Sequence, residues 1–253
     1  MRVLSNEKIA LNIYSLTFES TALLLESLPG QFVNINVDGE DSPFFRRPFS
    51  IADVSQDSVE IIYEVIGAGT WILSTMGAGD SIDIIGPLGE GYDLNFSGSK
   101  SILIGGGVGI PPLMFLYNKM KEQGIELQFL AGFKSIAHNY IPRRITNVQY
   151  SSDDGSLGAK GYVTDLLTES LLNNEVKHIY ACGPEPMLRK VIEIADENEI
   201  RCSVSVEKVF GCGTGICMGC VIENSLKRFT ETGRKYSLVC MEGPVFDSGD
   251  VNL

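Results

Sequence analysis

The chain has little positive charge and few histidines. Among its 253 residues, 20 are Lys or Arg and 32 are Asp or Glu, which gives a net charge of −12. Such an acidic chain repels nucleic acids and anionic membranes, so neither is expected as a partner. The two histidines are His138 and His178. His178 starts a predicted strand, at the end away from the expected ligand edge, and we interpret it as structural.

Long hydrophobic runs and an export signal are also lacking. The most apolar stretch, residues 101–117, contains four glycines and two prolines, and it is too broken to span a bilayer. The N-terminus does not have the basic and apolar pattern of a signal peptide. With 44% hydrophobic and 21% charged residues, the composition is that of a soluble globular protein. We therefore expect a cytoplasmic protein whose cysteines are free.

The first part of the chain, residues 1–97, is rich in short alternating segments. Strands are predicted over residues 9–18, 31–37, 58–66 and 80–85, separated by Gly, Pro and Asp turns. A helical period is not found there, so a small antiparallel β-barrel is predicted.

Residues 98–206 have a different pattern, in which strands and helices alternate. Strands are predicted at 101–104, 127–132 and 177–182, and helices at 112–123, around 163–171 and from Pro186 onward. This alternation predicts a doubly wound α/β domain, whose ligand binds at the carboxyl ends of the parallel strands. Residues 207–253 remain as a small C-terminal subdomain and tail.

Four cysteines in that C-terminal region carry the strongest chemical signal. Cys212, Cys217 and Cys220 are spaced Cys-x4-Cys-x2-Cys, and Cys240 follows after nineteen residues. This is the ligand spacing of plant-type [2Fe–2S] clusters. Glycines in the loop allow its backbone to wrap closely around a cluster and to direct amides at the sulfurs.

Structural zinc and disulfides are the two other uses of such cysteines. Structural zinc usually takes two short knuckles, whereas here three ligands share one loop of nine residues. Disulfides require an oxidising compartment, which nothing in the chain indicates. Cys182 and Cys202 lie outside the pattern and are expected to be buried on strands.

Two further segments resemble binding sites for dinucleotides. In the barrel region, the segment Arg46-Arg47-Pro48-Phe49-Ser50 and the glycine turn after Glu64 offer groups for a phosphate and a flat ring. In the second region, residues 105–112 join a strand to a helix through four glycines, which suits a pyrophosphate. Each segment alone is also compatible with an ordinary turn, and the second is not a G-x-G-x-x-G fingerprint.

The order of these motifs resembles the ferredoxin–NADP⁺ reductase superfamily. The motifs are Arg-Pro-Phe-Ser, Gly-x-Gly-Thr, Gly-Gly-Gly-Val-Gly-Ile-Pro-Pro and Cys-Gly-Pro. The cluster loop, residues 211–221, with Val239-Cys-Met-Glu-Gly-Pro-Val-Phe246, is similar to the electron transfer subunits of dihydroorotate dehydrogenase type B. Residues 153–161 also resemble that family, so the likeness covers nearly the whole chain.

This resemblance implies an oxidoreductase subunit of pyrimidine biosynthesis that carries FAD and a [2Fe–2S] cluster. Such a subunit passes electrons from the FMN of a separate catalytic subunit to NAD⁺, within a heterotetramer of two copies of each. The cluster ligands would be Cys212, Cys217, Cys220 and Cys240. The implied FAD contacts are Arg47, Pro48, Phe49, Ser50, Glu64, Val65, Ile66, Gly69 and Thr70. The implied NAD contacts are Gly106, Gly107, Gly109 and Cys182. Arg46 is set apart, because only the arginine directly before the proline fits the motif.

Two other functions remain open at this point. The chain could be a flavin reductase subunit of another complex, of the hydrogenase, sulfite reductase or ferredoxin:NADP⁺ oxidoreductase type. It could also be a zinc-stabilised binding module, although both dinucleotide motifs would then lack a purpose. As a further hypothesis, Asp153 and Asp154 would disfavour the 2′-phosphate of NADP if they lie near the adenosine ribose.

Overall fold

Six antiparallel strands make up the N-terminal sheet of the computed structural model, which describes residues 1–37, 44–95, 100–172 and 175–253. The strands are β1 (Val3–Ala10), β2 (Ile13–Glu19), β3 (Phe32–Asn36), β4 (Arg47–Val54), β5 (Ser58–Glu64) and β6 (Asp83–Leu88). Two helices accompany them, α1 (Ala22–Leu25) and α2 (Ala68–Thr75).

The strands run in the order β1-β2-β5-β4-β3-β6. A bridge between Arg2 and Ser81 joins the first strand to the segment before the last, which closes the barrel. Alternate positions point inward, and Leu16, Phe18 and Ile61 are among the fully buried side chains of the barrel core. The predicted barrel is confirmed. The strand predicted over residues 9–18 is in fact two strands, because Asn12 turns the chain with a φ of 58°.

A second sheet has seven strands: β7 (Ser101–Gly106), β8 (Leu127–Phe133), β9 (Val148–Ser152), β10 (Ala159–Lys160), β11 (His178–Cys182), β12 (Arg201–Ser205) and β15 (Val245–Asp247). They lie in the order β10-β9-β8-β7-β11-β12-β15. All its pairings are parallel except that of β12 with β15. The predicted doubly wound sheet is therefore confirmed.

Helices cover both faces of this sheet. They are α3 (Ile110–Glu122), α4 (Val163–Leu172) and α5 (Glu185–Glu197). Residues of α3 share a hydrophobic core with the barrel residues Ala52 and Ile62, so α3 lies between the sheet and the barrel. Residues of α4 and α5 pack against Ile102, Ile104 and Ile179 on the other face. Parallel strands buried on both faces explain the continuous apolar runs in the sequence.

The C-terminal region adds a small sheet and ties it to both larger units. It contains β13 (Val221–Asn224), α6 (Leu226–Thr232), β14 (Tyr236–Leu238), α7 (Val239–Glu242) and β16 (Val251–Asn252). The small sheet has the order β14-β13-β16. β15 pairs with β12, and the N–H of Glu90 donates to the Gly243 carbonyl. The segment read from the sequence as a tail is thus an edge strand of the nucleotide-binding sheet.

The predicted boundary between the first two units, at residues 97 and 98, lies outside the described residues. Within the described ranges, no helix is long and apolar enough to cross a membrane.

His178 is the first residue of β11, which lies between β7 and β12, and it is buried. Its ring stacks on Tyr180 with centroids 4.0 Å apart. Its Nε2 lies 2.9 Å from Ser203 Oγ and its Nδ1 lies 3.0 Å from the Tyr180 hydroxyl. Burial lowers the pKa of His178 to about 4. The side chain is therefore neutral near pH 7, in keeping with a structural role.

The low pKa of His178 makes stability depend on pH. In the unfolded chain this imidazole takes up a proton near pH 6.5, but in the folded protein only near pH 4. Stability is therefore lost as pH falls from 6.5 towards 4. Between pH 7 and 5 this loss is about 2 kcal/mol in the free energy of unfolding. We expect His178→Gln to remove it in denaturant titrations followed by circular dichroism. His138→Gln serves as control and should keep the wild-type pH dependence; an unchanged dependence in His178→Gln would contradict the prediction.

Candidate functional site

The cysteine loop and a hairpin bring the four cysteines to one end of the C-terminal region. Cys220 directly precedes β13, and Cys240 lies just after β14. The two strands are antiparallel, with Val221 opposite Leu238, so the two cysteines become neighbours. The N–H of Cys240 donates to Cys220 Sγ at 3.4 Å.

Backbone amides within the loop are directed at the sulfurs. The N–H groups of Thr214 and Cys217 donate to Cys212 Sγ at 3.4 and 3.3 Å. The N–H groups of Cys212 and Gly219 donate to Cys217 Sγ, each at 3.4 Å. Gly213 and Gly215 have φ angles of 72° and 81°, which allow the loop to turn back on itself.

These contacts favour thiolates in the loop. Hydrogen bonds from the Cys217 and Thr214 amides lower the pKa of Cys212 to about 6. Burial, with the nearby Cys220, raises the pKa of Cys240 to about 12. This buried thiol therefore keeps its proton unless a cation takes the proton's place.

The donor set fits an iron–sulfur cluster. In the described part of the chain, no group of three or more His, Cys, Asp or Glu side chains is arranged around a single metal ion. A [2Fe–2S] cluster divides four protein ligands between two irons, so it does not require such a group. Four free cysteines and amides aimed at sulfur supply the ligands and the hydrogen bonds that this cluster uses.

A cavity of about 290 Å³ lies where the barrel meets the carboxyl edge of the second sheet. Seven of the residues expected to contact FAD line it: Arg47, Pro48, Phe49, Ser50, Glu64, Ile66 and Thr70. Val65 and Gly69 do not line it; Val65 packs against the barrel core, and Gly69 is buried in α2. Arg46 also lies elsewhere, since its guanidinium pairs with the Asp83 carboxylate.

The glycine turn after Glu64 leads directly into a helix that the sequence analysis missed. α2 begins at Ala68, so its N-terminus lies beside the cavity. Thr70 Oγ1 accepts hydrogen bonds from the N–H groups of Ile66 (3.0 Å) and Gly67 (3.2 Å). The Thr70 hydroxyl thereby holds the turn in shape.

The walls of this cavity suit a flavin dinucleotide. Flat or apolar side chains, among them Phe32, Phe49 and Tyr63, face a ring-sized space. Arg47 and the N-terminus of α2 both border the cavity, and each brings positive charge that suits a pyrophosphate. The Arg47 Nη1 donates to the carbonyls of Phe45 and Arg46, which holds the guanidinium in place.

A second cavity of about 480 Å³ opens on the other side of the glycine-rich loop. Gly106 and Gly107 line it, as expected for NAD contacts, and Asp153 also lines it. Lys134 and Lys190 bring positive charge, and Tyr162 brings an exposed ring. Asp154 is not among the lining residues; its carboxylate accepts hydrogen bonds from the N–H and hydroxyl of Ser156.

The glycine-rich loop separates the two cavities. Gly107 faces the second cavity, and its neighbour Val108 faces the first. The Tyr140 hydroxyl donates to the Gly107 carbonyl at 2.7 Å, which fixes the loop. A Cβ on Gly109 would lie 2.5 Å from the carbonyl carbon and oxygen of Cys182, so only glycine fits there. Gly109 thus serves packing and does not line the second cavity.

Cys182 lies at the first cavity and not at the second, where it was expected. Burial raises the pKa of its thiol to about 12, and the Glu207 carboxylate adds to this effect. Cys182 is therefore a neutral thiol at the meeting point of the two sites.

Several lining residues were missed from the sequence. In the first cavity they include Phe32, Ser205, Glu207, Lys208 and Phe210. Ser205 ends β12, and the next residues follow that strand at the carboxyl edge of the sheet. Recognising β12 would have pointed to them, because ligands bind at this edge.

Two parts of the chain match known protein families. Residues 207–252 match the family described as the iron-sulfur cluster binding domain of dihydroorotate dehydrogenase B, and residues 126–193 match the oxidoreductase NAD-binding domain.

Full-length relatives are found as well. The dihydroorotate dehydrogenase B (NAD(+)) electron transfer subunit of Caldanaerobacter subterraneus subsp. tengcongensis is 38% identical over 253 residues, which cover 99% of this chain and 96% of that protein. The subunit of the same name from Shouchella clausii is 35% identical over 100% of this chain and 97% of its own. A chain from the structure of an NADH-dependent reduced ferredoxin-NADP oxidoreductase is 27% identical, with a TM-score of 0.86 over 99% of this chain and 89% of that one.

The cysteine assignment is tested by comparing two cysteines that are equally buried, Cys240 inside the pattern and Cys202 outside it. We expect Cys240→Ser to lose most of the iron and acid-labile sulfide, because serine replaces a thiolate ligand. Cys202→Ser should retain both. Metal and sulfide analysis with visible absorption provides the measurement, and full cluster content in Cys240→Ser would refute the assignment.

Proposed function

This chain belongs to the family of electron transfer subunits of dihydroorotate dehydrogenase B (NAD(+)), and we propose that it works as such a subunit through the three sites described above. The observation that carries the proposal is the order of these sites in space. Phe210, which directly precedes the cysteine loop, lines the first cavity and packs on Phe32. The glycine-rich loop lies between the first cavity and the second. Electrons from a partner are thus carried towards NAD⁺ within one chain.

The first cavity is the proposed FAD site. When bound, FAD exchanges electron pairs with a nicotinamide and single electrons with an iron–sulfur cluster. The residues of the chain contribute binding and orientation: Phe49 and Tyr63 flank the ring space, while Arg47 and the N-terminus of α2 hold the phosphates. Val108 of the glycine-rich loop and the buried Cys182 thiol line the side of the cavity that faces the second site.

The second cavity is the proposed NAD site. Gly106 and Gly107 allow a pyrophosphate to approach the backbone, and Lys134 and Lys190 neutralise its charge. Tyr162 offers a flat ring at the rim for the adenine. Asp153 would bond the ribose hydroxyls and repel a 2′-phosphate, which favours NAD over NADP.

An exposed apolar surface around the cysteine loop is the proposed docking face for the catalytic subunit. Ile216 and Met218, both in the loop, are exposed, and Ile216 is 84% exposed. Phe44, which is 93% exposed, Phe45 and Met241 extend the surface, and the Phe45 ring lies beside Gly211. Phenylalanine and methionine are enriched in protein interfaces. A partner bound here would bring its own flavin close to the cluster.

A reductase subunit of another redox complex is not favoured. The relatives named as dihydroorotate dehydrogenase B subunits are 35–38% identical over 99–100% of this chain. The oxidoreductase structure is less similar, at 27% identity. The heterotetramer and the cytoplasmic location stay predictions.

The function is tested first on the isolated protein. We expect the holoprotein to oxidise NADH with an artificial electron acceptor, because residues of this chain line both proposed cofactor sites. Dihydroorotate oxidation should be absent until the FMN-containing partner is added, when NAD⁺-dependent orotate formation should appear. Absorbance assays of NADH and orotate provide the measurement. Orotate production by this chain alone would refute the proposal.

A variant of the proposed docking face tests that surface in the same assays. Ile216→Asp places a charge on the exposed loop, so it should weaken assembly with the partner and lower orotate formation. The rate of NADH oxidation by the isolated chain should remain that of the wild type, and metal analysis should show an intact cluster.

Nucleotide preference is tested at Asp153 and Asp154. We expect Asp153→Asn to raise kcat/KM for NADP relative to NAD by about tenfold, because a repelling charge at the ribose is removed. Asp154→Asn should leave the ratio unchanged, since its carboxylate faces Ser156. Equal or better use of NADP by the wild-type protein would contradict the assignment of Asp153.

A further inference from the structure

A fully buried asparagine connects the barrel to the cysteine loop. Asn34 lies in the middle of β3 and has no exposed surface. Its Nδ2 donates to the backbone carbonyl of Cys212 at 3.0 Å, across 178 residues of sequence. Its Oδ1 is buried without a hydrogen-bond partner among the described residues.

The energetics of burial make this single bond significant. Burying a side-chain amide costs free energy, which hydrogen bonds recover in part. An apolar residue would fill the same barrel position without that cost. The bond to the Cys212 carbonyl is what an asparagine provides at this position and an apolar residue does not. We therefore look for the role of Asn34 at the cysteine loop.

Cys212 is held both through its sulfur and through its backbone carbonyl. Its sulfur accepts hydrogen bonds from the Thr214 and Cys217 amides, and its carbonyl accepts the bond from Asn34. The next residue packs on the same amide: a Cβ on Gly213 would lie 2.6 Å from Asn34 Nδ2. The start of the loop is therefore shaped around the Asn34 side chain.

The same strand also forms part of the first cavity. Phe32, two residues before Asn34 and hence on the same face of β3, lines that cavity. Its ring lies 5.0 Å, centroid to centroid, from the ring of Phe210, two residues before Cys212. Asn34 itself is opposite Pro48 of the proposed flavin site on β4.

We propose that Asn34 is a positioning residue that fixes the first cluster ligand relative to the flavin site and so sets the rate at which electrons pass between the two centres. The proposal rests on the proposed function, because it takes the cysteine loop and the first cavity as the two redox sites. Phe32 positions the loop by packing, whereas Asn34 adds a directional bond to the ligand residue itself.

The test uses Asn34→Leu in the holoprotein, with Asn224→Leu as a matched control. Asn224 is also a buried asparagine whose Nδ2 donates to a backbone carbonyl, that of Arg234, and whose Oδ1 is without a partner among the described residues. It lies on β13 and lines neither cavity. Both variants lose one buried hydrogen bond, but only Asn34→Leu should loosen the contact between loop and barrel.

Two measurements are expected to separate the variants. Hydrogen exchange of residues 210–219 should accelerate about tenfold in Asn34→Leu and stay at the wild-type rate in Asn224→Leu. In rapid mixing with NADH, flavin bleaching should keep its wild-type rate in both variants. The reduced-cluster signal in electron paramagnetic resonance should then appear more slowly in Asn34→Leu alone. If Asn34→Leu does not fold, Asn34→Ser is measured, whose shorter side chain does not reach the carbonyl.

The outcomes distinguish this proposal from the proposed function. If the wild-type protein contains flavin and iron but Asn34→Leu shows unchanged exchange and unchanged cluster reduction, the role of Asn34 is refuted and the function stands. Slowing of equal size in both asparagine variants would also refute it, because general destabilisation would then be the cause. If the wild-type protein contains neither flavin nor iron, the proposed function itself fails.

Discussion

The path of residues 243–247 between the barrel and the nucleotide-binding sheet is the constraint on which the arrangement of the sites depends. The Gly243 carbonyl accepts a hydrogen bond from Glu90 at the end of the barrel region, and the Pro244 carbonyl accepts one from Val206. β15 then continues as the antiparallel neighbour of β12. A Cβ on Gly30 would lie 2.6 Å from a Val245 methyl group, so the passage is tight. These contacts hold the barrel, the nucleotide-binding sheet and the C-terminal region in fixed positions relative to one another.

The sites lie where these regions contact one another. The first cavity takes its walls from the barrel, from the carboxyl edge of the sheet and from Pro244. The glycine-rich loop forms the boundary to the second cavity, and Asn34 with Phe32 forms the boundary to the cysteine loop. Each neighbouring pair of sites is separated by one layer of residues, which suits a chain that must pass electrons over short distances.

The features that can be predicted from the sequence are those in which residue spacing itself carries the chemistry. The four cysteines, the barrel and the alternating α/β pattern could all be predicted, since ligand spacing and hydrophobic period are local properties. α2 was missed because it is short and because the glycines at its start are typical of a turn and not of a helix. β15 was missed because it has only three residues and is recognised by its pairing with β12, from which the cysteine region separates it. β12 was missed as well, although it is as long as the predicted strand β11. The role of Asn34 depends on a contact across 178 residues, which local patterns do not contain.

The pairing of β15 with β12 has a consequence for the region that lies between them in sequence. β12 ends at Ser205 and β15 begins at Val245, so all four cysteines of the cluster pattern lie in the segment that joins these two neighbouring strands. Both ends of this segment are therefore held by the same sheet. The hydrogen bonds that cover the edge of β12 also hold the cysteine region beside the flavin site, so a loss of this pairing would expose a strand edge and release the cysteine region together.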